Sequence, residues 1–123
     1  VVIGFLATWW TGLFIGAGLG FTSMIFEQRR ERRKNLMVAV LIVLLTTILL
    51  GAIGYFYGLV VEVNEVVDQR MLIQSLNDPV DFIIVKSVHQ HSYVGAFLGL
   101  FLGISYLFTQ KAKTNLLQAK FAV

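Results

Sequence analysis

Three long apolar runs divide the chain, at about residues 3–26, 36–58 and 92–109. Each falls in the range of about 17 to 25 residues that a helix needs to cross the hydrocarbon of a bilayer. The first run is free of charge. A signal peptide fits it poorly, because its basic residues follow the apolar stretch rather than precede it. Between the first two runs, Glu27-Gln28-Arg29-Arg30-Glu31-Arg32-Arg33-Lys34-Asn35 is polar throughout and predicts a short loop over 27–35. From Leu59 the pattern becomes amphipathic, with Val60, Val63, Val67 and Met71 on one side and Glu62, Glu65, Asp68 and Arg70 elsewhere. Asn77-Asp78-Pro79 then reads as stop, cap and restart. Residues 59–91 are therefore expected to form a helical hairpin outside the membrane, whose second arm runs on as helix from Pro79 through Val80, Ile83, Ile84 and Val88 into the third span, with a tail over 110–123 after it. The expected fold is an all-α integral membrane protein: one membrane domain over 1–123 with three transmembrane helices.

Charge gives these spans a direction. Five basic residues crowd the 27–35 connection, and Lys111, Lys113 and Lys120 mark a tail without an acid, whereas Glu62 to Lys86 holds five acids against two bases. By the positive-inside rule the basic connection and the tail face the cytoplasm and the hairpin faces outward. The N-terminus of the sequence is then outside, the C-terminus cytoplasmic. Trp9, Trp10, Tyr55, Tyr57 and Tyr93 fall near the outward ends, as an interfacial aromatic belt does. An outside start without a methionine points to an earlier crossing or a cleaved signal upstream, the crossing being favoured and giving four spans in the intact chain. The basic cluster of Arg29, Arg30, Arg32, Arg33 and Lys34 is accounted for by topology rather than by nucleic acid, with anionic lipid headgroups as its expected contact.

Glycine changes the picture next. Gly12, Gly16 and Gly20 recur at four-residue spacing in the first run, as do Gly95, Gly99 and Gly103 in the third. Gly51, Gly54 and Gly58 fall near one stripe of the second. In water each glycine would lower helix stability by about 1 kcal/mol against alanine. In lipid, where apolar side chains gain little by leaving acyl chains for one another, small residues let helix backbones approach. These nine glycines are expected to form helix-packing stripes, against the simpler reading that membrane helices are glycine-rich.

Composition agrees: 57% of the 123 residues are hydrophobic and the mean hydropathy is +0.77, too apolar for a soluble domain of this size. With no cysteine, thiolate chemistry and disulfides are excluded. The middle of the spans carries no ionisable side chain, only Thr22, Ser23, Thr46, Thr47, Ser105 and Tyr106, so proton- or ion-coupled transport lacks its usual groups. No GxSxG, HExxH, P-loop or GxGxxG pattern occurs. The chain is therefore not expected to be an enzyme.

The remaining candidates for chemistry are the two histidines of Val88-His89-Gln90-His91-Ser92-Tyr93. His91 lies four residues before Gly95 and shares its stripe, while His89 is turned about 200° away on a regular helix. If two antiparallel helices meet at Asn77-Asp78, Glu65 comes level with Gln90 and Glu62 with Tyr93. That places both carboxylates at the depth of the histidines, as a hydrogen-bonded cluster, a pH-sensing contact or a Zn²⁺ or Cu²⁺ site. A bis-histidine haem would need further ligands from another chain or segment. The function expected is that of a small, non-enzymatic structural or regulatory membrane subunit, without a cofactor, bound to itself or to another membrane subunit. A metal- or haem-binding membrane protein using His89 and His91 is the rival reading, and a pore-forming oligomer the third.

Overall fold

The computed structural model describes residues 2–62 and 79–121, with side chains over 9–62 and 80–120. Helix α1 is Val2–Ser23 and α2 is Arg29–Tyr57. A π-helical turn, Gly58–Glu62, follows, and α3 is Pro79–Phe121. There is no strand among the described residues. The protein is all-helical, and two of its segments, Arg29–Glu62 and Val80–Lys120, are long and apolar enough to cross a membrane.

The element boundaries depart from the polar pattern in two places. The basic stretch is not a loop: α2 begins at Arg29, so the cluster occupies its first two turns. Arginine, glutamate and lysine are good helix formers, and polarity alone does not separate a solvated helix turn from a loop. The tail is not a separate element either, since α3 continues through Lys111 and Lys113 to Phe121, with Lys120 in the last turn, where it complements the C-terminal end of the helix dipole. Of the hairpin expected over 59–91, the predicted run of helix from Pro79 through Val88 into the third apolar run is present in α3. The start of the hairpin is the π-helical turn, and residues 63–78 lie outside the described residues.

The chain divides into two compact units, one of Val1–Leu45 with Ala96–Val123 and one of Thr46–Gly95. In the first, Leu19, Phe26, Ala39, Val43 and Leu107 form a buried cluster, with Ile15, Leu36, Leu100 and Ile104 packed against it. Phe26 belongs to none of the helices. It stands in the connection after α1, where Met24, Ile25 and Phe26 each donate a backbone N–H three residues back, at 3.1, 3.3 and 3.2 Å. The helix thus tightens as it ends and turns an aromatic ring into the core. Arg32 N–H then donates to the Gln28 carbonyl at 3.0 Å and begins the ladder of α2. Thr22 and Ser23 satisfy their hydroxyls locally, on the carbonyls of Gly18 (2.8 Å) and Gly20 (2.7 Å).

Gly103 sits at a close approach in this unit. A Cβ there would stand 3.2 Å from Leu19 Cδ2 and 3.3 Å from the Ala39 carbonyl. Nearer the end of α3, Tyr106 Oη donates to Asn35 Oδ1 at 3.5 Å, and Lys111 Nζ lies 3.9 Å from Glu27 Oε1. Both contacts are long and weak, so the unit is held by packing.

Candidate functional site

In the second unit, α2 and α3 run antiparallel with their backbones pressed together along a seam of small residues. A Cβ on Gly58 would meet Ser87 Cβ at 3.1 Å and Ile84 Cα at 3.3 Å; on Gly54, His91 Cβ at 2.7 Å and the Ser87 carbonyl at 2.8 Å; on Gly51, Ser92 Oγ at 2.7 Å. From the other helix, a Cβ on Gly95 would stand 2.7 Å from the Thr46 carbonyl and 2.9 Å from Thr47 Cα. Distances under 3.0 Å leave no room for a methyl group, and at Gly54 and Gly95 the obstacle includes backbone. Close approach to backbone requires glycine at Gly54 and Gly95, and Gly51 of α2 and Gly58 of the π-helical turn lie at spacings of three and four from Gly54 on the face toward the partner.

The glycines of α1 do otherwise. A Cβ on Gly12, Gly16 or Gly20 meets nothing within 4 Å, whereas Gly18, off that stripe, lies 3.3 Å from Leu100 Cδ1 by the same measure. Among the described residues, the four-residue stripe of α1 is an open face. Gly99 of α3 is buried.

The seam fixes the two histidines in different surroundings. His91 is half-buried against Gly54, and its Nδ1 lies 2.8 Å from the Ser87 carbonyl. A carbonyl can only accept, so Nδ1 carries the proton, and in the neutral ring Nε2 is left as an acceptor. The Tyr57 ring sits 5.4 Å from the imidazole. His89 is exposed, edge-on to Tyr93 at 4.4 Å, and faces a groove of about 520 Å³ that it lines with Tyr55, Asp81, Val85, Val88 and Ser92. Two residues of helix separate the rings by roughly 200°, and they open on different faces.

Glu62 does not take the position that a hairpin at Asn77-Asp78 predicts. With Gly58 against Ser87 and Gly54 against His91, the same register brings Glu62 level with Ile83, ten residues and about 15 Å of helix from Tyr93. Glycine contacts set this register, and the turn expected at Asn77-Asp78 lies outside the described residues. Glu65 lies outside the described residues, and among the described residues no three histidine, aspartate or glutamate side chains converge as a metal site would require. Two polar atoms are conspicuous instead, one on the candidate Glu62 and one on a serine that is not among the candidates: Glu62 Oε2 and Ser87 Oγ are buried without a hydrogen-bond partner among the described residues. Ser87 is completely enclosed, and nothing in its sequence context distinguishes it from an ordinary helix serine.

At the other end of α2, Arg29, Arg30, Arg33, Lys34 and Met37 line a second groove, of about 490 Å³. Arg32, on the remaining side of the helix, is not among its lining residues. No family model, curated protein or solved structure matches this chain.

Proposed function

We propose that the protein is a three-span membrane subunit with a structural rather than chemical role, and that it associates with a second copy of itself through the open glycine face of α1. The observation that carries this reading is the contrast between glycines. Those of α2, with Gly95 and Gly103 of α3, are consumed by contacts inside the chain, while Gly12, Gly16 and Gly20 present a stripe of the same spacing with nothing against it. A bare backbone face on an apolar helix suits another helix of similar shape.

Membrane residence is supported by where the apolar side chains point. Of the most apolar windows in α2 and α3, 11% and 28% are buried, far below what the core helix of a water-soluble protein needs. Phe14, Phe21, Leu45, Ile48 and Phe101 are each about two-thirds exposed or more, which favours lipid or another helix as their neighbour. In this reading the basic start of α2 and the lysines of α3 after Gln110 are cytoplasmic.

Light scattering of the protein in a neutral detergent tests the association. The wild-type chain should be dimeric or larger, and the triple substitution Gly12→Leu, Gly16→Leu, Gly20→Leu should yield a folded monomer. A monomeric wild-type protein, or an oligomer indifferent to all three leucines, would overturn the proposal.

A further inference from the structure

We infer that the groove at the start of α2 binds the phosphate of an anionic phospholipid, whose acyl chain lies along the apolar stripe continuing down the same helix. Arg29, Arg30, Arg33 and Lys34 surround one groove, and Met37 closes it. All four cations are exposed, and none is in an ion pair among the described residues. Placing them together opposes folding: they repel one another, and cations in the first turns of a helix run against its dipole, relieved here only by Glu31. A bound anion removes both penalties. Guanidinium groups also match the paired oxygens of a phosphodiester in a way that a lone ammonium does not.

The choice of a lipid over other phosphates comes from what lies next to the cations. Arg30, Lys34, Met37, Leu41 and Leu44 step by four and three residues and so form one stripe. Met37, Leu41 and Leu44 are 64%, 55% and 52% exposed, so the face passes from charge to hydrocarbon within one helical turn. A free phosphate or a nucleic acid has no use for that continuation. A phospholipid, with one anionic group above two acyl chains, matches both halves. The site rests on the membrane residence proposed above and is independent of the glycine face of α1.

Native mass spectrometry of the full chain, released from a neutral detergent, tests this with dioleoyl phosphatidylglycerol and dioleoyl phosphatidylcholine as probes. The wild-type protein should retain the glycerol lipid at least tenfold more strongly, with a loss of roughly fivefold for each cation neutralised. Arg33→Gln and Lys34→Gln should each show that loss singly, and the fourfold glutamine variant should have no preference. Lys111→Gln with Lys113→Gln and Lys120→Gln, which removes charge elsewhere, should behave as wild type. Inorganic phosphate at equal concentration should not displace the lipid. Unchanged preference in the single variants, an equal loss in the tail variant, or displacement by inorganic phosphate would each overturn the assignment. Carbonate washing separates the two proposals: a chain that stays in membranes yet shows no lipid preference refutes the groove alone, while a chain that washes off refutes membrane residence and the groove with it.

Discussion

His91 and Gly54 meet so closely that a methyl group on the glycine would stand 2.7 Å from the histidine Cβ and 2.8 Å from the Ser87 carbonyl that His91 Nδ1 itself engages. Gly54→Ala therefore has to push the helices apart or break that hydrogen bond. It should lower stability by about 1–3 kcal/mol, read as a fall in the detergent melting temperature. Ala52→Leu, on an exposed position two residues away, should leave the melting temperature where it was. Equal melting temperatures for Gly54→Ala and wild type would mean that the two helices do not meet along this seam.

Gly16→Leu should act on assembly and not on the fold of the single chain. Nothing lies within 4 Å of a Cβ at this position, so the monomer has no contact to lose, and replacing glycine in a helix interior favours the helix by up to about 1 kcal/mol. The expected result is an undiminished melting temperature measured under conditions where the protein is monomeric, together with weaker self-association. A large loss of monomer stability would show that the open face is closed within the chain.

Ser87 gives a test of opposite sign. Its hydroxyl is enclosed and unpartnered among the described residues, and the bond to His91 uses its carbonyl. Ser87→Ala keeps that bond, removes an unsatisfied polar atom, and should be neutral or stabilising by up to about 1 kcal/mol. Ser87→Val adds bulk toward Gly58, whose Cβ position is already 3.1 Å away, and should destabilise. If alanine here were as harmful as valine, the hydroxyl would have a partner after all.

How far the sequence could be read depends on which physical term decides each feature. Helix content was legible because apolar runs of such length have few alternatives, and α1 and α2 lie where the first two runs predict them. Spacing also revealed which glycines share a face. It did not reveal which faces are occupied: Gly12, Gly16 and Gly20 look at least as regular as Gly51, Gly54 and Gly58, yet only the second set is filled from within the chain. Occupancy depends on the register between helices distant in sequence, and register is set by tertiary contact. The same gap misplaced Glu62 beside Tyr93. Polar segments misled for another reason, since Arg29 to Lys34 form good helix as readily as loop, and only the hydrogen bond from Arg32 to Gln28 marks where α2 begins.

Leu107→Ala should be among the most damaging substitutions in α3. The residue is completely buried against the cluster of Leu19, Phe26, Ala39 and Val43, and deleting such a side chain leaves a cavity with a loss of about 2–5 kcal/mol. Leu102→Ala, at a position 53% exposed, should change stability far less. Chemical or thermal unfolding in one detergent compares the two directly, and equal effects would remove Leu107 from the core.

The enclosure of Phe26 by a residue as distant as Leu107 also bears on how the chain is made. The first unit is discontinuous, its two segments separated by Thr46–Gly95, so Leu19, Phe26, Ala39 and Val43 leave the ribosome long before the side chain that completes their cluster. At about 5–20 residues per second, the sixty-four positions from Val43 to Leu107 take roughly 3–13 s to synthesise. During that interval α1 and α2 are a nascent hairpin with an unfinished core, available to whatever insertion factor or chaperone covers apolar surface. Translation arrested after Gly95 should therefore yield a hairpin that is cleared by proteases while the full chain persists.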